Sequence, residues 1–170
     1  QSQVDSIITN HRSNQVSSSP SPGMWWKGEK DMSVQEVIDF DCPSCGSKQK
    51  VEIFRSINVT ENPELKTELL EGRINIFHCP DCDFEGSLPV DLLYHDMEKQ
   101  FCVQFFPFQW TAGAGFIRQF VVNEGEIVRV IPDTNTQIPE YFLRAHIVFN
   151  MNELIRYLVF MEKVQKKSRE

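Results

Sequence analysis

The chain has 170 residues and a formal net charge of −7, and 41% of its residues are hydrophobic. This length suits one domain with its own core plus a short appendage. No apolar run approaches the roughly 20 residues that cross a bilayer, so we expect no membrane-spanning segment. The acidic balance also argues against general binding to nucleic acid, because phosphate backbones would be repelled.

The first part of the chain, residues 1–33, is predicted to be a flexible or accessory N-terminal extension. Residues 13–23 read SNQVSSSPSPG, a composition that cannot bury enough apolar surface to offset its ordering entropy. Trp25 and Trp26 follow this stretch. They would either dock on a partner or, as the more common outcome, cover the core of their own chain. The folded domain is predicted to span residues 34–167.

The predicted elements of this domain begin with a strand over residues 50–59, where Val, Ile and Phe follow a near-alternating pattern. A short amphipathic helix is predicted for residues 63–71. It starts with a proline and ends before Gly72, the two residues that favour a helix start and a helix end. Residues 73–78 and 84–90 then predict two strands of a hairpin.

The C-terminal half predicts more strands and a final helix. Four segments are rich in β-branched and aromatic residues and are separated by turn signals. A helix over about residues 151–166 closes the chain, with Asn150 as its cap and Glu153 three residues on. The prediction is therefore an α+β fold, in which a mainly antiparallel sheet carries a zinc-ribbon-like lobe of four cysteines. The β-rich segments are 100–108, 116–122, 126–131 and 141–149.

Four of the five cysteines form two C-P-x-C pairs, in the segments CPSCG and CPDCD. A C-x-x-C turn brings two sulfurs to one ion, and two such turns complete a tetrahedral set. The proline stiffens each turn, and the glycine of the first can adopt the positive φ that the turn needs. We predict one structural metal ion, zinc, held by Cys42, Cys45, Cys79 and Cys82.

Other states of these cysteines remain open at the sequence level. Iron in a rubredoxin-like site is one alternative, because four thiolates bind either metal. Four free thiols or two disulfides are the others, although paired short spacings favour a metal inside a reducing compartment. We therefore expect a cytoplasmic protein.

The ordered motifs resemble the CpXC domain family, which is named for its two C-P-x-C motifs. The resemblance covers about residues 40–165 and leaves the Trp-containing N-terminal segment outside. It implies a metal-binding domain and brings no known activity, and Asp83 departs from the glycine often found after the second pair. The motifs that carry it are Cys42–Gly46, Ile57–Val59, Pro63–Lys66, Leu69–Gly72, Cys79–Cys82, Leu92–Lys99 and Asn152–Ile155.

A second cluster of titratable groups lies in the segment YHDMEK. His95 with Asp96 or Glu98 could act as acid and base or hold a second ion. The interpretation we favour is a solvated turn with a hydrogen-bonded His95, because no nucleophile or third ligand stands beside it in the sequence.

Three further features are predicted to be structural. His78 directly precedes a cysteine and is expected to flank the metal rather than bind it. Cys102 lies in an apolar strand, where a buried inert thiol is the ordinary outcome. The aromatic residues of segment 101–110 are expected to pack in the core, because Lys and Arg are missing around them.

Three classes of function follow from these features. A metal-stabilised module that binds a protein partner is preferred, because a closed thiolate site has no open coordination position. An enzyme or enzyme subunit that uses His95, Asp96 and Glu98 is the first alternative. A rubredoxin-like electron carrier is the second.

Overall fold

The computed structural model describes residues 33–129 and 139–168. The prediction for the N-terminal extension, including Trp25 and Trp26, concerns residues outside the described ones. The elements in chain order are β1 (Val34–Asp41), β2 (Lys48–Asn58), α1 (Pro63–Leu70), β3 (Ile76–His78), β4 (Glu85–Ser87), β5 (Leu92–Asp96), β6 (Phe101–Phe105), a 3-10 helix (Phe108–Ala112), α2 (Ala114–Ile117), β7 (Phe120–Asn123), β8 (Glu126–Arg129), α3 (Glu140–Leu143), β9 (His146–Val148) and α4 (Met151–Lys167).

A five-stranded sheet with the order β1-β2-β5-β6-β9 forms the centre of the fold. Its pairs β1-β2 and β5-β6 are antiparallel, whereas β2-β5 and β6-β9 are parallel. Two small hairpins, β3-β4 and β7-β8, are antiparallel. The predicted α+β class with a mainly antiparallel arrangement is therefore confirmed, and the central sheet itself is mixed.

A β-bulge divides β2 into two parts that face different surroundings. Gln35 of β1 lies opposite Phe54, but the next residue of β1, Val34, lies opposite Ser56, so one residue of β2 is extra. Such a bulge changes the side to which the following side chains point. Ile53 accordingly packs in one hydrophobic cluster and Ile57 in another.

These two clusters are the cores of two parts of the domain. The first, here called the main core, lies between the central sheet and the helices α1 and α4, and contains Ile57, Leu92 and Leu154. The second, here called the cysteine lobe, packs Ile53, Phe77, Leu88 and Val90 around Cys42 and Cys79. Strand β2 belongs to both parts.

The helices predicted from the sequence are found close to their expected bounds. Helix α1 begins at Pro63 and ends at Leu70, and Gly72 has a φ of +72°. Helix α4 begins after Asn150, whose side-chain oxygen accepts a hydrogen bond from the Asn152 amide at 2.8 Å. Among the described residues, no helix is long and apolar enough to span a bilayer.

Several segments differ from the sequence prediction. Strand β1 (Val34–Asp41) was not predicted, and segment 116–122 begins in helix α2, with its strand starting only at Phe120. The segment YHDMEK is not a solvated turn as a whole, because its first three residues belong to the buried strand β5 and only residues 97–100 form the turn. Segment 141–149 is not one strand either. It begins with the short helix α3, and only His146–Val148 pairs with β6.

Candidate metal centre

The first C-P-x-C turn connects β1 to β2 at one end of the central sheet. The Cys42 amide donates a hydrogen bond to the Ser47 carbonyl at 2.9 Å, and the Gly46 amide donates to the Cys42 carbonyl at 2.8 Å. Gly46 has a φ of +76°, the left-handed region in which glycine carries no side-chain penalty. The turn is thus closed by its own backbone hydrogen bonds.

The second C-P-x-C turn connects β3 to β4 and repeats this pattern. The Cys79 amide donates to the Phe84 carbonyl at 2.8 Å, and the Asp83 amide donates to the Cys79 carbonyl at 3.2 Å. Asp83 has a φ of +57°, so it adopts the conformation that Gly46 adopts in the first turn. The departure from glycine at this position therefore leaves the turn geometry intact.

The two turns face each other and bring four sulfur atoms together. The Sγ atoms of Cys42 and Cys82 are 3.7 Å apart, those of Cys45 and Cys79 are 3.6 Å apart, and all four lie within 4.8 Å of one another. A metal–sulfur bond of about 2.3 Å in a regular tetrahedron gives sulfur–sulfur distances of about 3.8 Å. The spacing is too long for disulfide bonds of about 2.05 Å, and all four cysteines are free. The cluster could hold one metal ion.

The Ser47 hydroxyl lies beside two of these sulfurs. It is 3.3 Å from Cys45 Sγ and 3.5 Å from Cys79 Sγ. Its hydrogen bond lowers the pKa of both thiols, that of Cys79 to about 6, because a hydrogen bond to the thiolate favours the charged form. The sequence prediction missed Ser47, although its position two residues after the second cysteine of a turn was the available signal.

The pKa of the Cys82 thiol indicates that a cation is needed to hold all four sulfurs as thiolates. A hydrogen bond with Ser44 lowers its pKa, but burial and the neighbouring Cys45 and Cys42 outweigh that effect and raise the pKa to about 11. Thiolates packed this closely repel one another, so all four cannot be ionised together near neutral pH without a positive ion among them.

The cluster is buried on one side and open on the other. Cys42 and Cys79 are buried, Cys82 is half-buried and Cys45 is exposed. Phe40 packs edge-on against Phe77, with 4.9 Å between ring centroids, and closes the buried side. An ion could therefore enter past Cys45, after which the thiolates would fill its tetrahedral coordination sphere.

Sequence comparison assigns the family. The family model described as CpXC protein matches residues 40–167, about three quarters of the chain. The chain belongs to the CpXC family. Comparisons with curated proteins and with solved structures gave no match.

The candidate acid–base residues of this CpXC protein lie on strand β5 and in the turn after it, and they do not form a shared site. Successive residues of a strand point to opposite faces, so His95 and Asp96 project from different sides of β5. The Asp96 carboxylate accepts hydrogen bonds from the Lys99 amide and the Lys99 ammonium group. Glu98 is exposed in the following turn.

His95 itself is buried without a hydrogen bond to Nδ1. Its ring lies 5.1 Å from the ring of Phe142, and burial lowers its pKa to about 4, partly offset by the negative charge of Asp96. Our expectation of a hydrogen-bonded, solvated histidine was wrong for this ring nitrogen. The residue is neutral at physiological pH.

The remaining features predicted to be structural have mixed outcomes. His78 is exposed and lies 3.4 Å from Glu85, outside the sulfur cluster. Cys102 is buried and its thiol donates to the Tyr141 carbonyl at 3.0 Å, as expected for an inert thiol. Phe106 belongs to the buried aromatic residues, but Phe108 is 67% exposed, so the core assignment for that residue was wrong.

Proposed function

We propose that this CpXC protein carries one structural zinc ion and works as a protein-binding module. The observation that carries the proposal is the closed set of four sulfur atoms, which matches tetrahedral metal coordination in donor type and spacing. Zinc with four thiolates has no open position for water or substrate, so its role is to stabilise structure. Cys42, Cys45, Cys79 and Cys82 are the proposed ligands.

The chemistry of the ligands supports zinc and a reducing location. Four thiolates suit zinc or iron, and zinc serves a structural role without redox chemistry. Reduced thiols persist in the cytoplasm, so we propose that the protein acts there.

Protein binding is supported by the character of the surface. Large apolar side chains lie exposed in the C-terminal half, including Phe108, Val122 and Phe160. Residues 42–110 carry 6 basic and 11 acidic side chains, and a zinc ion with four thiolates adds a further charge of −2. This acidic region would repel nucleic acid and leaves a protein as the better partner.

Elemental analysis of the purified protein tests the metal. We expect one zinc per chain and a colourless protein, because an iron–tetrathiolate site is red when oxidised. Cys45→Ser and Cys79→Ser should lose the ion, since each removes one ligand. Cys102→Ala is the matched control and should retain full occupancy, because its thiol bonds to Tyr141 instead. Full zinc occupancy in Cys45→Ser together with loss in Cys102→Ala would contradict the ligand assignment.

A further inference from the structure

Strand β7 is a sheet edge that no other described strand covers. It pairs with β8 alone, and the β7-β8 hairpin forms its own two-stranded sheet in the described part of the chain. Natural proteins usually block such an edge with a charge, a proline or a bulge, because its free backbone groups pair readily with another strand. The β7 sequence, Phe-Val-Val-Asn, has none of these features.

The side chains of this hairpin are apolar and exposed as well. Val121 is 49% exposed and Val122 75% exposed, and Val122 lies opposite the exposed Ile127 of β8. Phe120 anchors the base of the hairpin by packing on Phe106 and Phe116. An isolated two-stranded sheet is only marginally stable in water, so an added strand would stabilise the hairpin tip.

Two residues of opposite charge flank β7. Arg118 precedes it by two residues and Glu124 follows it directly. Both are exposed, and neither makes an ion pair with a described residue. The strand between them is uncharged. When two copies of this segment run antiparallel, the positive end of each therefore meets the negative end of the other.

We propose that β7 pairs in antiparallel fashion with β7 of a second copy of this chain. A two-fold axis beside Val121 places that residue opposite its own counterpart, with Phe120 opposite the second copy's Val122. Arg118 lies just before the strand, at the end of α2, and Glu124 lies in the turn just after it. The antiparallel arrangement therefore brings the Arg118 end of each copy to the Glu124 end of the other, at both ends of the strand pair. The two hairpins then form one four-stranded sheet.

The identity of the partner follows from this self-complementarity. A two-fold interface must present the same patch on both copies, and residues 118–124 satisfy that condition in shape and charge. Because each strand is only four residues long, the interface is small, and small interfaces form weak complexes. The pairing rests on the proposed protein-binding function and identifies a second copy of the chain as the partner. Pairing of the two strands does not require the metal ion.

Sedimentation velocity of the full-length, metal-loaded protein tests the pairing over concentrations from micromolar to millimolar. We expect the wild type to dimerise reversibly. Arg118→Glu and Glu124→Arg should each weaken dimerisation by roughly tenfold or more, because each places like charges opposite one another at both ends of the strand pair. Arg156→Glu, an exposed change on α4, should leave the dimer unchanged.

Mixing the two weakened variants gives the decisive result. In a mixed pair, the two changed residues meet with opposite charges at one end, and the unchanged Glu124 and Arg118 meet at the other end. The mixture should therefore associate as strongly as the wild type, and the double variant should do so alone. A wild type that stays monomeric at millimolar concentration, a dimer insensitive to both changes, or a mixture no stronger than its components would overturn the proposal. Zinc content is measured on the same samples. Full zinc occupancy without dimerisation would contradict only the strand pairing, whereas missing zinc would contradict the proposed metal site.

Discussion

Gly46 and Asp83 occupy the same position in their turns, four residues after the first cysteine, and both have a positive φ. A side chain in the left-handed region costs about 1 kcal/mol relative to glycine. We therefore expect Asp83→Gly to stabilise the metal-loaded protein by about 1 kcal/mol, measured by urea unfolding.

The reverse change at the first turn is the matched control. A Cβ atom added at Gly46 would meet no atom within 4 Å, so the change introduces no steric clash at Cβ and its cost comes from the backbone conformation. Gly46→Asp should lower the unfolding free energy by a similar amount. If Asp83→Gly destabilised the protein, the Asp83 side chain would have a stabilising role beyond the backbone.

The buried ring of His95 makes stability depend on pH. The unfolded chain protonates this ring near pH 6.5, whereas the folded chain resists protonation until about pH 4. Stability is thus fully present above pH 6.5 and falls as the pH drops to 4, by up to about 3 kcal/mol. We expect His95→Gln to remove this part of the pH dependence in urea unfolding measured at several pH values.

Two comparisons isolate the contribution of His95. Burial raises the pKa of Asp91 to about 6, although the positive charge of Arg55 opposes this shift. The folded chain therefore binds a proton at Asp91 more readily than the unfolded chain. Asp91 alone would make stability rise as the pH falls through the same range. The difference between wild type and variant cancels this effect. His78→Gln changes an exposed ring and controls for the removal of a histidine as such. A slope that is the same in His95→Gln would show that the ring can be protonated in the folded protein.

At the scale of elements, the cysteine lobe and the main core should respond differently to metal removal. Structural zinc contributes about 10–16 kcal/mol in small modules, as much as the whole stability of a typical domain. After chelation, we expect hydrogen exchange to accelerate in β3, β4 and the N-terminal half of β2. The main core has its own buried residues, so β5, β6 and α4 should stay protected.

Chelation of the Cys102→Ala variant is the control for this experiment. It should give the same exchange pattern as the wild type, because Cys102 lies outside the sulfur cluster. Uniform acceleration across β5, β6 and α4 would instead mean that both parts unfold as one unit.

The elements that the sequence predicted well are those whose signals are local. Helix α1 has a proline at its start and a glycine after its end, and the geometry of each C-P-x-C turn is set by residues within the turn. Strand β5 was missed because Tyr94, His95 and Asp96 look polar in sequence. β5 is buried because it pairs with β2 on one side and β6 on the other, and β2 lies far from it in the sequence. The α3 helix at Glu140–Leu143 was missed because its aromatic residues also favour strands.

At the scale of the whole molecule, the boundary of the domain can be tested by truncation. The Ser33 hydroxyl donates to the Asn62 side chain at 2.9 Å and accepts from the Asn58 amide at 3.0 Å. Removal of residues 1–31 keeps both bonds, so we expect a cooperative thermal transition and an unchanged urea midpoint. Loss of the cooperative transition would show that Trp25 and Trp26 belong to the core.

A slightly longer truncation is the matched comparison. Removal of residues 1–33 also deletes Ser33 and leaves the buried Asn58 amide without this partner. Each such hydrogen bond contributes about 1 kcal/mol, so we expect a loss of about 1–2 kcal/mol relative to the shorter truncation. Equal stability of the two truncated proteins would contradict a structural role for Ser33.

The parallel pairing of β2 with β5 has a consequence for the speed of folding. The connection between these strands spans residues 59–91 and includes the second cysteine turn. The residues of β2 that pair with β5 are Ser56–Asn58. Once an ion joins the two turns, the path between Ser56 and Leu93 runs through the ion along residues 46–55 and 83–92, which is shorter than the direct path along residues 57–92. The free-energy cost of closing this shorter loop is lower by about 0.5 kcal/mol. An ion present from the start should therefore accelerate formation of the central sheet about twofold, and would act on the folding rate as well as on the folded state.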